Sequence, residues 1–241
     1  MDLFLSSAMT PKLLHFDEIS STNDYLFDQA GADLQSWPDH SVVCASMQTR
    51  GRGRNQREWE SPSGASLSFS ILIRNSTVPA HWYGILLAMA ATKSLNEQGV
   101  QAGLKWPNDV LVDDKKLAGV LGQAAENYLV VGLGLNLSKV EITGSTSLED
   151  FGLKTDFDFQ LSGILSNFSQ IIERQSSAGL TDLLPELRQL SHTLGRRVRI
   201  TLEGEDIEGL ATDIDSEGKL IIDNGRFAVS AGDIMHLRGV G

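Results

Sequence analysis

The chain has 241 residues, 41% of them hydrophobic and 21% charged, and its 31 acidic against 20 basic side chains leave a formal charge of −11. That length can bury a core without disulfides or metal and predicts one large domain, or one large and one small. The single cysteine, Cys44, excludes an intrachain disulfide framework and a cysteine-based zinc finger and fits a reducing, cytoplasmic setting, while the acidic balance argues against a protein that coats nucleic acid.

The apolar start, Met1 to Ala8, has no basic region ahead of it, and no run reaches the roughly 20 apolar residues of a membrane span, so neither secretion nor membrane insertion is expected. Ser21-Thr22-Asn23-Asp24 reads as a helix start: Ser21 caps, Asp24 reaches back as a short-armed capping box, and the helix stops near Gly31. Ser41 to Ala45 is a short apolar run and predicts a buried strand. Residues 48–64 form a polar segment rich in glycine and arginine, long enough to predict a functional loop. Leu67, Phe69, Ile71 and Ile73 recur at every second position, the period of a strand.

Pro79 to Gly99 predicts a helix that is apolar nearly all round and therefore buried. Strand, charged turn and strand follow over 110–112, 113–116 and 117–121, and Tyr128 to Val131 is a further strand leading into Gly132-Leu133-Gly134-Leu135-Asn136. Two amphipathic helices are predicted over 158–176 and 181–193. From Arg196 the texture changes to short β-segments over 198–200, 207–214, 220–222, 227–229 and 234–237, with Asn224-Gly225 as a type I′ hairpin signal. These suggest a small barrel and a boundary near Gly195, dividing the chain into residues 1–194 and 195–241.

Several chemistries are absent. There is no Gly-x-x-x-x-Gly-Lys-Ser/Thr loop, no His-Glu-x-x-His pair and no Gly-x-Ser-x-Gly elbow, and Gly51 to Gln56 begins like a dinucleotide fingerprint but lacks the last glycine. The histidines at 15, 40, 81, 192 and 236 are scattered, none at metal spacing with another, so core, surface and capping roles are expected of them and no fixed protein metal site.

Four segments remain. Arg50, Arg52, Arg54 and Arg57, interleaved with Gly51 and Gly53, concentrate planar cationic donors and close-approach backbone in an acidic chain; they suit a phosphate or carboxylate, with RNA as one version. Lys105-Trp106-Pro107-Asn108-Asp109 packs a cation, an aromatic face, an amide and a carboxylate about a rigid proline. It suits a purine and its phosphates, or equally a plain strand entry with a core tryptophan. Asp113 to Gly119 is by itself a charged hairpin, in which Lys116, at the edge of an apolar strand, can point inward. Gly132-Leu133-Gly134-Leu135-Asn136 permits close approach to a strand end and offers an amide.

In this order, over residues 20–137 and with the small β-rich end, these segments closely resemble the biotin protein ligases. The resemblance rests on Ser21-Thr22-Asn23, Gln48 with Gly51-Arg52-Gly53-Arg54 and Arg57-x-Trp59, Lys105-Trp106-Pro107-Asn108-Asp109, Lys116-Leu117-Ala118-Gly119, and Gly132-x-Gly134-x-Asn136. It implies an α+β fold: a mixed central sheet with flanking helices, like the class II aminoacyl-tRNA synthetase and biotin ligase catalytic domains, followed by an SH3-like barrel. It also implies an ATP-dependent ligase that makes biotinyl-5′-AMP with Mg²⁺ and passes biotin to a lysine of a biotin carboxyl carrier protein of acetyl-CoA carboxylase.

Under that resemblance Arg52, Arg54, Lys116 and Asp109 are the catalytic candidates. Biotin falls to Ser21, Thr22, Asn23, Gln48, Arg52, Gly53, Arg54, Lys116 and Gly119. The nucleotide falls to Arg54, Arg57, Trp59, Lys105, Asn108 and Asn136. About 20 residues precede the Ser-Thr-Asn motif, too few for the helix-turn-helix domain some relatives carry, so the monofunctional form is expected. The family includes monomers and dimers, and no motif here decides for or against a homodimer. Two departures stand out: Gln123 takes a position where the family often has an acid, and residues 124–128 are short, predicting a tight hairpin. A lipoate or octanoate ligase of the same superfamily is the nearest rival, a nucleic-acid-binding module using the arginine loop is a rival of another class, and a catalytically dead biotin binder is a third.

Overall fold

A computed structural model of the chain describes residues 10–54, 58–61, 64–202, 205–230 and 232–237. Its centre is a seven-stranded sheet built from β1 (Leu13–Phe16), β2 (Val42–Ala45), β5 (Ser66–Ile73), β9 (Leu129–Asn136), β8 (Lys115–Ala124), β7 (Asp109–Val112) and β6 (Gly103–Lys105), in that spatial order. Only β1 and β2 run parallel; every other neighbouring pair is antiparallel, so the sheet is mixed.

Strand alternation divides this sheet into two unlike faces. Leu67, Phe69, Ile71 and Ile73 of β5, with Val131, Leu133 and Leu135 of β9, belong to the main core, against α2 (Ala80–Glu97) and α3 (Phe157–Ala178), with α4 (Leu180–Leu190) behind. The other face of the same strands carries Ser66, Ser68, Ser70, Gly132 and Gly134, and α1 (Thr22–Ala32) covers one end of it through a smaller core of Leu26, Ala30, Trp37, Val43, Leu72 and Val130. One face is therefore filled with large side chains, and the other is left shallow enough to receive something else.

Ser21 caps α1, its Oγ accepting from Asp24 N at 3.2 Å. The reciprocal half of the expected capping box does not form: the Asp24 carboxylate accepts from Arg52 Nη1 at 2.6 Å, a charge-assisted contact stronger than a bond to a neutral amide. α2 starts after Pro79 and buries Trp82, Leu86, Met89 and their neighbours, as its all-round apolar character requires.

The segment expected to be a loop, 48–64, contains a two-stranded ribbon of β3 (Gln48–Arg52) and β4 (Glu58–Ser61), with Gly51 opposite Trp59. The charged turn expected over four residues needs only Asp113 and Asp114, both with positive φ, so Lys115 and Lys116 already belong to β8. The hairpin after β8 is tight, with Ala125 N donating to Tyr128 O. α4 ends at Leu190, short of the expected 193, and β1 and β6, two strands of three or four residues, escape the periodicity argument.

The C-terminal antiparallel sheet has β10 (Arg197–Leu202), β11 (Glu205–Ile214), β12 (Leu220–Ile222), β13 (Phe227–Val229) and β14 (Asp233–His236), in the order β13-β12-β11-β10-β14. Asn224-Gly225 does not form the two-residue turn expected. Ile222 pairs with Phe227, so the loop is 223–226, and Asp223, itself at φ 49°, accepts from Leu210 N at 2.8 Å. This sheet shares the main core through Val198, Ile200, Ala211, Ile214, Leu220 and Ile222. Among the described residues no helix is long and apolar enough to cross a membrane.

Candidate active site

The shallow face of the sheet holds a cavity of about 140 Å³ between the N-terminus of α1, the β3–β4 ribbon and strands β8 and β9. Alternation explains its floor. Gly119 pairs with Gly134 and Leu121 with Gly132, so three glycines of adjacent strands face the same side. A methyl group at Gly132 would fall 2.2 Å from Asn23 Oδ1, and one at Gly134 would fall 2.3 Å from the Trp59 ring. The glycines are needed because a side chain has already taken the space above each of them.

The polar end of the cavity is a closed hydrogen-bond network. Thr22 N and Thr22 Oγ1 both donate to Gln48 Oε1, at 2.8 and 3.1 Å. Ser70 Oγ donates to Asn23 Oδ1 at 2.6 Å and lies 2.8 Å from Thr22 Oγ1, while Asn23 Nδ2 donates to Leu121 O at 3.2 Å. Ser21, Thr22 and Asn23 are all buried. They form an uncharged cradle at a helix N-terminus, with Gln48 Nε2 as a further donor.

The charged end is organised by the β7–β8 hairpin. Lys116 Nζ sits 2.7 Å from Asp109 Oδ1 and 5.6 Å from the centre of the Trp59 ring. Arg54 Nη1 donates to Asn108 Oδ1 at 3.0 Å, and the Asn108 amide is itself held by Val120, donating Nδ2 to its carbonyl oxygen at 2.8 Å. Trp59 Nε1 is buried in the wall with no acceptor among the described residues. A buried unpartnered donor is costly, and here it borders a cavity able to admit an acceptor.

The cavity brings together Ser21, Thr22, Asn23, Gln48, Arg52, Gly53, Arg54, Trp59, Asn108, Asp109, Lys116 and Gly119 of the expected residues. Lys105 is not in its lining; it lines an adjoining groove, of about 1030 Å³, that shares Arg54, Asn108, Asp109 and Lys116 and extends to Arg196, Arg197 and Arg199 of the C-terminal part. Asn136 is not in the lining either: it is 3% exposed and donates Nδ2 to Thr146 O at 2.9 Å, fixing the segment after β9. Arg57 lies outside the described residues. Ser70 and Leu121 complete the site without having been expected there, and Gly132, expected as a place of close approach, forms part of its floor. Ser70 lies on the polar alternate of a recognisable strand, which is the signal that marks it.

The chemistry open to such a cavity is recognition of a small molecule with a neutral polar head at one end and an anionic group at the other, the anion within reach of preorganised cations. The comparisons with known proteins agree with that description. Residues 15–136 match the profile of the biotin/lipoate A/B protein ligase family, and residues 193–237 match that of the biotin protein ligase C terminal domain. The chain is 37% identical over 237 residues to a biotin–[acetyl-CoA-carboxylase] ligase of Mycobacterium tuberculosis, covering 92% of this chain and 87% of that protein. It is 30% identical over 221 residues to the bifunctional ligase/repressor BirA of Escherichia coli, covering 85% and 67%. Among solved structures, a biotin protein ligase from Aquifex aeolicus in complex with biotin and ATP superposes with a TM-score of 0.82 at 25% identity, over 95% of this chain and 99% of that one.

Proposed function

The chain belongs to the biotin/lipoate A/B protein ligase family and is a biotin–protein ligase, and from that premise we propose how its own residues carry the reaction. The observation that carries the reading is the cavity's polarity: a neutral hydrogen-bonding cradle at one end and Lys116 with Arg54 at the other. Biotin has matching ends, a cyclic urea and a carboxylate.

The urea head sits among Ser21, Thr22, Asn23 and Gln48, and the ring extends along the side chains that the glycine floor admits, Trp59 over Gly134 and Lys116 over Gly119. Its carboxylate meets Lys116, Arg52, Arg54 and the backbone of Gly53. One carboxylate oxygen attacks the α-phosphorus of ATP; the bond to the bridging oxygen of the β-phosphate breaks, and pyrophosphate leaves. Both reactants are anions, so the barrier is largely electrostatic and preorganised cations lower it. Arg54, Arg57 and Lys105 serve the phosphates, and Trp59, Asn108 and Asn136 the nucleoside. For Asn136 this role acts through the 146–148 segment it anchors.

In the second step a lysine amine of the acceptor attacks the acyl carbon, AMP departs and the amine loses a proton. Lys116 offsets the charge that develops on the acyl oxygen, and Asp109, its partner, orients the incoming amine. The acceptor is the biotin carboxyl carrier part of acetyl-CoA carboxylase, reached from the groove beside the cavity, in a cytoplasmic setting where ATP is supplied. Residues 1–194 hold the chemistry, and 195–241 border that groove.

Mg²⁺ accompanies the ATP in this reading and neutralises phosphate charge. Of the described carboxylates lining the cavity, Glu58 and Asp109, the second is already paired with Lys116. The residues therefore fit an ion held chiefly by the phosphates, with Asp109 nearby.

The rival acids separate on the polar cradle. An octanoyl chain would leave Thr22, Gln48 and Asn23 facing hydrocarbon, a buried polar mismatch that sites discriminate strongly. The test is exchange of labelled pyrophosphate into ATP with biotin, lipoate and octanoate in parallel. Exchange with biotin alone is expected. Exchange driven by lipoate or octanoate overturns the choice of acid, and biotin binding without exchange identifies a dead binder.

A further inference from the structure

The scattered histidines acquire a new relationship on folding. Asp114 comes from the β7–β8 turn, His192 from the connection between α4 and β10, and His236 from β14. One ligand atom of each lies within 4.8 Å of the other two. His192 Nε2 is 2.7 Å from Asp114 Oδ1, the two imidazole rings are 5.8 Å apart centre to centre, and His236 Nε2 lies 3.2 Å from Thr193 Oγ1. Asp114 and His236 both line the groove that runs from the active site along the C-terminal sheet, so an ion can reach them from solvent.

We propose that Asp114, His192 and His236 form a binding site for Zn²⁺ that clips the C-terminal sheet to the β7–β8 hairpin. Two imidazoles and one carboxylate suit this borderline-soft ion, whereas Mg²⁺ prefers an all-oxygen shell. Three protein ligands leave a fourth position for water. The turn presents Asp114 rigidly, because both of its residues sit in the left-handed region. The site is distinct from the biotin cavity but linked to it, since the hairpin ending in Asp114 also carries Asp109 and Lys116.

One feature opposes the ion and also provides a test. Arg196 Nη1 lies 2.6 Å from Asp114 Oδ1, so its guanidinium holds the place of a cation in the metal-free protein. It must swing away when Zn²⁺ enters, and that competition weakens binding.

The experiment uses the full chain after chelator treatment, without ATP. Zn²⁺ binding is titrated calorimetrically, Co²⁺ is substituted to read its visible d–d bands, and Tm is followed against free Zn²⁺. Expected are one equivalent of Zn²⁺ per chain, Co²⁺ bands of a histidine-ligated site, and a Tm that rises with free ion by linkage. His192→Ala is expected to weaken binding by roughly tenfold or more, since a lost ligand costs at least as much as a lost outer-shell partner. Asp114→Asn guards against misfolding, because asparagine keeps the left-handed turn while removing the anionic ligand. Arg196→Ala is expected to bind several-fold more tightly. Absence of saturable binding at micromolar Zn²⁺ overturns the proposal, and so does equal binding by wild type, His192→Ala and Asp114→Asn.

Discussion

In the proposed mechanism Lys116 combines a weak structural role with a strong chemical one. Its contact with Asp109 is made by partly exposed groups, and such pairs contribute about 0–1 kcal/mol to stability. A cation aimed at developing charge in a confined site is worth much more, with a typical loss of about 10²–10³-fold in turnover when such a donor is removed. Lys116→Ala is therefore expected to lower biotin-dependent pyrophosphate exchange by about 10²–10³-fold while leaving Tm nearly unchanged. Exchange at the wild-type rate would remove Lys116 from the mechanism; a collapse of Tm would make it a structural residue. The sequence marks both residues but not their contact, which forms only when β7 pairs with β8 across the Asp113–Asp114 turn. The Asp114–His192–His236 cluster was not legible there, since its members meet only after two sheets have packed, and nothing in their spacing announces it.

Elements carry the next layer. The glycines of β8 and β9 were recognisable as places of close approach, but what approaches them depends on register. Gly132→Ala would force a methyl group to within 2.2 Å of Asn23 Oδ1 and 2.9 Å of Ser70 Oγ. Overpacking of that kind costs about 1–3 kcal/mol and would break the cradle. Lower stability to urea and lost biotin binding are expected, whereas Gly122→Ala on the neighbouring strand, where the added methyl meets nothing within 4 Å, serves as the matched control. Equal behaviour of the two variants would contradict this account.

The segment after β9 offers a test in acid. Hydrogen bonds from Ser147 N, Thr146 Oγ1 and Ser147 Oγ hold the Asp150 carboxyl below its ordinary value of 3.8. A depressed carboxylate contributes stability above that value and loses it as pH falls through the folded pKa. The Tm advantage of wild type over Asp150→Asn should thus be present at neutral pH and shrink below pH 3.8; a difference that grows in acid would reverse the assignment. The same scale explains the misread ribbon. Glycine and arginine have little strand preference, so 48–61 reads as loop until β3 and β4 find each other. β5 reads correctly as a strand, but alternation alone does not show that its serines, Ser66, Ser68 and Ser70, are buried as well.

At the scale of the whole molecule, the change in texture near Gly195 was visible, but the way the second sheet seats on the first was not, because it depends on contacts between residues 87 and 112 positions apart. Trp106 is the main example. Its backbone N–H donates to Thr193 Oγ1 at 3.0 Å, and its buried indole Nε1 donates to Gly218 O at 2.9 Å, in the turn between β11 and β12. The residues that follow it, Pro107, Asn108 and Asp109, line the groove, and Asn108 and Asp109 the cavity as well. One side chain thus ties the C-terminal sheet to the segment proposed to meet the nucleotide. Phenylalanine would keep most of the ring and delete the donor, leaving Gly218 O unsatisfied at a cost of about 1–3 kcal/mol. Trp106→Phe is expected to lower the denaturation midpoint accordingly and to speed proteolytic cleavage of the C-terminal sheet. It should also raise the KM for ATP in pyrophosphate exchange more than the KM for biotin, because the biotin cradle is anchored by α1 and β5, away from this contact. A variant with the predicted loss of stability but unchanged KM for ATP would confine Trp106 to holding the two sheets together, whereas a matching rise in both constants would mean that the joint supports the whole site.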